Sequence, residues 1–593
     1  MSLATRILVK VSEAVDRKWG WDKLPSRLAL LILIGIREAL REKNLLDTYD
    51  GDPPPADPPE TASSPSTYLT ARTADGAYNN LSSPSMGMAR TRFGRNVPPQ
   101  NAGAETTTLL EPNPRTVSKD LLLRRTFKPA ETLNILAAAW IQFQVHDWFT
   151  HDKDPDLDRA IKVPLPPGDD WSAEPVMRVP ATLVDKTHPV GRWPTRFINN
   201  ETHWWDASQI YGSNEDSKES IRANQDGKVR IGPDGLIRPG IGMFNHDGWW
   251  LGLELMSTLF MLEHNAICDR LRAVYPGWSD DRLFNKARLI NAALIVKIHT
   301  IEWTPAILGH PTIQIGSQAN WYGLAGKRVR RLFGRLSSGD LISGIPGSQT
   351  AFYGVPYSLT EEFVAVYRMH PLMPDTYTFY DLGGSEPAEV QFEAIHRVER
   401  SRAMLENVGV ANALYSLGVA KPGAITLRNS PRFMNHFTLL EPGTIVDLNA
   451  VDILRQRERG IPRYNDFRRL LRLRPAETFA EISAGDADIA EQLEAIYGDV
   501  ERVDTIVGMY GEHLPVKFAF SDTAFRIFAV MAARRLECDR FYTVDFTPRM
   551  YTPEGMAWID DNDMIAVLQR HYPELEPVLR NLPNAFAPWP KIG

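Results

Sequence analysis

The chain has 593 residues and a formal net charge of -7, with no dense basic run of the kind that tracks a phosphate backbone, which argues against a nucleic-acid partner. Its 43% hydrophobic and 23% charged residues, with 15 Trp, give material for a large globular core, and no internal repeat divides it. Cys268 and Cys538 are the only cysteines and stand in no metal spacing, so a disulfide framework and a zinc ribbon are excluded and a reducing compartment fits.

In chain order, residues 1–47 read as amphipathic helices. "MSLATRILVKVSEAVDRKWGWDK" carries charge throughout and lacks a small-residue cleavage site, so no secretory signal is expected. The apolar run "LALLILIGI" is bracketed by Arg27 and Arg37 and is far shorter than the roughly 20 residues of a spanning helix. Trp19 and Trp21 beside Lys18 and Lys23 suit a helix lying in a membrane interface, and equally a helix packed on the main body. From residue 51 to about 114, Pro, Ser, Thr, Asn and Gly dominate, as in "GDPPPADPPETASSPS", and predict an extended arm, either wrapped on the surface or partly mobile. From about 130 to 585, apolar residues recur at three and four spacing and strand patterns are few and short. The expectation is therefore a mainly α chain: helices over 1–50, an arm over 51–118 and one large domain over 119–593.

Within that domain, "WIQFQVHDW" puts Gln142 and His146 four apart, on one side of a helix. The pair either shuttles a proton for a small polar ligand or is a core histidine satisfied by its neighbours. In "ETHWWDASQIYGS", Thr202, Trp204, Asp206 and Ser208 alternate, so one side of a loop offers hydroxyl, carbonyl, carboxylate and hydroxyl oxygens, with Asp147 as a second carboxylate. Such hard donors suit calcium, and the same residues also make an ordinary capped turn. His299 and Thr304 in "VKIHTIEWTPAIL" lie five apart and would not share a face of a straight helix, although Pro305 is expected to end or distort it. In "VAVYRMHPLMPD", Tyr367 precedes His370 by three residues; an imidazole there suits an iron ligand and the phenol an electron donor beside it. Pro371 restricts His370 to extended backbone, so the helix is expected to end at that residue.

Taken together, "QFQVHDW", "WWDASQIYGS", "MLEHNAICDRL", "YRMH" and "VDILRQRERGIPRYNDFRR", in this order, resemble the haem peroxidase and cyclooxygenase superfamily. "IHTIEWT" and "YRMHPLMPD" are most similar to its fatty acid alpha-dioxygenases. The resemblance implies a haem peroxidase-like helical fold, with Gln142 and His146 as the distal pair, His370 as the proximal haem ligand and Tyr367 as the residue oxidised to a radical. It implies calcium on Asp147, Thr202, Trp204 through its carbonyl, Asp206 and Ser208, and it gives Asn429 in "ITLRNSP" a place near the proximal histidine. His299 and Thr304 are implied to flank the substrate next to Tyr367. Val145 stands where covalently modified peroxidases carry an aspartate, so haem b is expected to be held non-covalently.

The implied reaction removes hydrogen from the carbon beside a carboxylate, adds O2 to give a 2-hydroperoxy acid, and uses a peroxide activator. A buried carboxylate demands a buried cation. Arg534 is the first candidate, with Arg535 and Arg540 as alternatives; each could instead make a surface ion pair. The expectation is thus a monomeric, cytoplasmic alpha-dioxygenase of long-chain fatty acids, with or without peripheral docking on a membrane. Its rivals are a haem peroxidase or mid-chain dioxygenase, and a non-catalytic lipid-binding or adhesion scaffold.

Overall fold

The computed structural model describes residues 3–49, 67–171, 175–186, 193–238, 247–384, 388–440 and 443–592. Helices dominate. The helices used below are α1 (Leu3–Trp19), α2 (Ser26–Asn44), α3 (Ile135–Trp148), α4 (Leu251–Val274), α5 (Asp280–Ile298), α6 (Pro311–Tyr322), α7 (Gly326–Phe333), α8 (Asp340–Ser343), α9 (Glu361–Val366), α10 (Leu448–Glu458) and α11 (Asp522–Glu537). Among the described residues the named strands form three separate two-stranded antiparallel ribbons, as the scarcity of alternating patterns predicts.

The centre of the molecule is the pair α4 and α5 with α3 against it. Leu289–Ile298 of α5 is buried at every position, as in a helix apolar on all sides. Polar caps fix where these helices start: the side chains of Asn134, Ser279 and Ser521 accept from the backbone N–H groups of Ala137, Arg282 and Ala524. Cys268 and Cys538 are both free and buried.

The N-terminal segments are built into this body. α2 buries Ala29, Ile32, Ile36 and Leu40, and Arg41 pairs with Glu537 at 2.6 Å. The Trp21 indole donates to Asp522 at 3.3 Å, and Arg526 holds Asp16 at 2.7 Å. No described helix is long and apolar enough to cross a membrane.

Most of the Pro/Ser-rich arm was expected at the surface or in motion. Residues 51–66 lie outside the described residues, but from Ala71 onward the arm runs inward. Arg72 pairs with Asp539 at 2.9 Å and Arg95 with Glu362 at 2.8 Å, while Phe93, Val97 and Ala102 join the main core. Here isolated bridges and turns satisfy the backbone instead of helices, as where the N–H groups of Phe93 and Gly94 donate to the carbonyls of Phe197 and Leu359, while buried ion pairs hold the side chains.

Candidate functional site

Two linked regions gather the residues singled out in the sequence. The first is a cavity with an empty volume of about 890 Å³, partly open to solvent. Gln142 and His146 reach it from one face of α3, and Tyr367 and His370 from the segment after α9. The remaining lining is largely apolar, including Ile141, Val145, Leu372, Phe392 and Phe433. Gln142 is locked: its Nε2 donates to the Gly248 carbonyl at 3.0 Å and its Oε1 accepts from the Trp250 indole at 2.7 Å.

The segment carrying Tyr367 and His370 is shorter in helix than Pro371 alone suggests. α9 ends at Val366 with Tyr367 as its cap, and His370 opens a 3-10 turn, His370–Leu372, instead of adopting extended backbone. His370 Nδ1 lies 2.8 Å from Asp452 of α10, an ion-pair distance whose alignment falls short of a hydrogen bond. Burial pushes the Asp452 carboxyl up, but His370 and Arg368 outweigh it and leave it below the ordinary carboxylate range. Asn429 accepts from Arg124 and the Lys128 backbone and donates to the carbonyls of Lys128 and Ala424, and Arg124 in turn donates to the carbonyls of Pro371 and Met373, which links Asn429 to the turn that His370 opens. Asp452 is the side chain behind His370.

The second region surrounds Trp148, the last residue of α3. Its ring meets Tyr367 edge-on at 5.0 Å and His299 at 5.5 Å, and the Arg535 guanidinium lies 4.4 Å from its centre. Arg535 also faces Trp205 at 4.5 Å and is fully buried; the Tyr357 hydroxyl is a polar neighbour, but none of the three guanidinium nitrogens makes a well-aligned hydrogen bond. Arg534, the first candidate, is committed elsewhere: it donates to the carbonyls of Phe352, Val355 and Pro356. Arg540 holds Asp545 and the carbonyls of Tyr68, Leu69 and Tyr78. On a helix, neighbouring residues point about 100° apart, so one arginine serves the loop and the next faces the aromatic box.

His299 is buried in that box. Burial, then the charge of Arg535, hold its pKa well below the ordinary value, so the ring is neutral. Its Nδ1 accepts from the Trp140 indole at 3.2 Å, which leaves the proton on Nε2. The spacing of five to Thr304 is resolved by a π-helical turn, His299–Trp303, across which the Thr304 N–H donates to the His299 carbonyl. Pro305 follows at the start of the next helical turn, so the expected distortion is present and puts the two residues in register. Burial raises the Tyr367 phenol well above its usual pKa, only partly offset by Arg535, so it is protonated.

The oxygen-rich loop also assembles. Asp147 Oδ1 accepts from the Ser208 N–H at 2.6 Å and its hydroxyl at 2.8 Å, and the Thr202 hydroxyl donates to Asp206 at 2.9 Å. Ala207 at φ 64° turns the chain between Asp206 and Ser208, with the Trp204 backbone just before them. Burial, then Asp206, holds the Asp147 carboxyl up at about 8, and its Oδ2 has no partner.

A model of the animal haem peroxidase family matches residues 71–583. The chain belongs to that family. Within it, relatives at about a third identity over nearly the whole chain are alpha-dioxygenases: alpha-dioxygenase PIOX of Oryza sativa subsp. japonica is 36% identical over 99% of this chain and 96% of its own length. The crystal structure of a tyrosine-to-phenylalanine variant of Oryza sativa fatty acid alpha-dioxygenase with palmitic acid matches with a TM-score of 0.92 at 34% identity, covering 100% of this chain and 98% of that one. Arabidopsis thaliana fatty acid alpha-dioxygenase matches with a TM-score of 0.90 at 33% identity, covering 100% and 94%. The fold is the haem peroxidase fold. The residues of the cavity fit the family's cofactor: an apolar slot, two histidines from elements far apart in sequence, and a buried carboxylate behind one of them. Val145 lines the slot and offers no carboxylate for an ester bond.

Proposed function

We propose that this alpha-dioxygenase relative, an oxidoreductase, oxygenates long-chain fatty acids at the carbon next to the carboxylate. The observation that carries the reading is Arg535, a buried guanidinium with no carboxylate partner and no well-aligned hydrogen bond, set beside a neutral imidazole and a protonated phenol. Such a cation is costly unless a buried anion joins it, and a carboxylate matches its fork. The fatty acid of the Oryza sativa structure is the chemical precedent.

In this reading His370, backed by Asp452, would hold the haem, which when bound would supply one-electron oxidation driven by a peroxide. His146 moves the peroxide's proton, and Gln142, locked by Trp250, orients it. The substrate carboxylate sits between Arg535, His299 Nε2–H and Thr304. The Tyr367 radical takes a hydrogen atom from the adjacent carbon and becomes a phenol again. O2 adds to the carbon radical, and the resulting peroxyl takes a hydrogen atom from Tyr367, giving the 2-hydroperoxy acid and restoring the radical. Loss of carbon dioxide then leaves an aldehyde one carbon shorter.

Asp147, Asp206, Thr202, Ser208 and the Trp204 carbonyl hold calcium in the same reading: two adjacent buried carboxylates, one oxygen of them orphaned, are matched by a hard dication. A monomer working in the cytoplasm completes it. α1 leaves Leu3, Ile7, Val11 and Trp19 exposed, which suits docking of the N-terminal hairpin on a bilayer.

The test is oxygen uptake by the haem-loaded protein given palmitic acid, with products identified by mass spectrometry. 2-Hydroperoxypalmitate or pentadecanal is expected, and Tyr367→Phe is expected to reduce uptake to background while peroxide-driven phenol oxidation persists. Oxygenation at mid-chain, or full activity in Tyr367→Phe, would overturn the reading.

A further inference from the structure

A second feature, outside the histidine cavity, presents an unusual surface. α7 reads "GKRVRRLF" and continues "GRLSSGD" into α8. Leu332 is 75% exposed, Phe333 71% and Leu336 56%, and no acidic residue occurs between Gly326 and Gly339. Five basic residues fall in the same stretch. Arg330 and Arg335 are spent inside, on the carbonyls of Trp321, Ser343, Gly344 and Pro346. Lys327, Arg328 and Arg331 face outward; Lys327 meets the carboxylate and carbonyl of Asp560 and the Tyr322 ring, and Arg331 meets the exposed Asp561.

The exposure is held in place by a built scaffold. The Leu324 N–H donates to the Leu341 carbonyl at 2.9 Å, locking the two ends of the excursion together. Gly323, at φ +77°, passes so close that a Cβ there would lie 2.0 Å from the Ile342 carbonyl oxygen. A chain that merely loops through water has no need of two internal arginines and a glycine crossing to keep Leu332 and Phe333 outside.

Beside it opens an apolar cavity of about 870 Å³ between α2, α6, α8 and α11. Leu324 and Leu341 belong to both features: each lines the cavity, and they are 50% and 46% exposed. Phe528 and Ala532 of α11 line it, two turns and one turn before Arg535 on the same side of that helix.

We propose that α7 and the turn into α8 are an interfacial docking element for a bilayer of anionic phospholipid, with Leu332, Phe333 and Leu336 in the acyl boundary and Lys327, Arg328 and Arg331 at the headgroups. Aromatic and aliphatic side chains beside a cluster of arginines match that surface in both polarity and charge. The cavity mouth then opens at the membrane. This deepens the proposed function, from which it takes only the idea of a lipid substrate; the docking itself is read separately.

The experiment is flotation of the haem-loaded full chain with vesicles of phosphatidylcholine alone or with about 30% phosphatidylserine, at low and physiological salt. Binding to the anionic vesicles, weakened by salt, is expected. Arg328→Gln with Arg331→Gln should weaken it about 30-fold, and Leu332→Ser, Phe333→Ser and Leu336→Ser together by about tenfold or more, with oxygen uptake from dispersed decanoate unchanged. No binding to anionic vesicles would overturn the proposal. So would loss of binding only in Leu3→Ser, Ile7→Ser, Val11→Ser, or conversion of a dimer to a monomer by the α7 substitutions. Binding with no oxygen uptake from any fatty acid would leave docking standing and sink the functional reading alone.

Discussion

Arg534 and Arg535 are adjacent in sequence and opposite in consequence. Arg535→Gln removes the only guanidinium in the aromatic box, and KM for palmitate should rise by about a hundredfold with little change in thermal stability. Arg534→Gln should leave KM nearly unchanged and cost about 1–3 kcal/mol, because three half-buried carbonyls lose a charged donor. Steady-state kinetics and urea unfolding on the two variants make the comparison; equal KM values would contradict it. The chemistry-bearing residue types were legible in the sequence because Gln142, His146, Tyr367 and His370 stand in short motifs. Which arginine faces inward was not, since it depends on helix rotation relative to Trp148 and Trp205, far away in the chain. Asp452 was illegible for the same reason: 82 residues separate it from His370 and no spacing links them. Asp452→Ala should lower haem affinity by about 10- to 100-fold, read from a haem titration of the cofactor-free protein.

At the level of elements, helices were readable and irregular segments were not. The 3.6-residue pattern locates α3, α4, α5 and α11 without ambiguity. The π turn at His299–Trp303 has no such signature, and a straight-helix reading separates two residues that it brings into register. The arm misleads in the opposite sense, since composition alone suggests a surface strand of little consequence. Yet Gly87, at φ +69°, lies where a Cβ would come within 2.7 Å of the Trp204 indole, so the arm is pressed directly on the oxygen-rich loop. Gly87→Ala should therefore cost about 1–3 kcal/mol, measurable by urea unfolding. Gly103→Ala, with open space around the glycine, is the control and should change little.

Across the whole molecule, buried titratable groups pull stability in opposite directions with pH. Burial holds His264 neutral with a pKa of about 4, against 6.5 for an ordinary histidine. Its folded value is depressed, so between these limits the unfolded chain binds a proton that the fold refuses, and stability is lost as pH falls from about 6.5 to about 4. Glu302, raised to about 8 by burial, acts the other way, so the clean measurement is a difference. His264→Gln should show a stability slope shallower than the native chain by about one proton, tenfold in the folding constant per pH unit, over that window. Parallel slopes would contradict it.

The pairs that tie the two ends of the chain together also set an order of events during synthesis. Asp16, Trp21, Arg41 and Arg72 find their long-range polar partners at Arg526, Asp522, Glu537 and Asp539. Every residue that lines the histidine cavity lies at or before Leu448 and has left the ribosome by then. A growing chain thus completes its cofactor slot while its N-terminal helices still lack their anchors, and the acid-binding end of the site is the last part to be made.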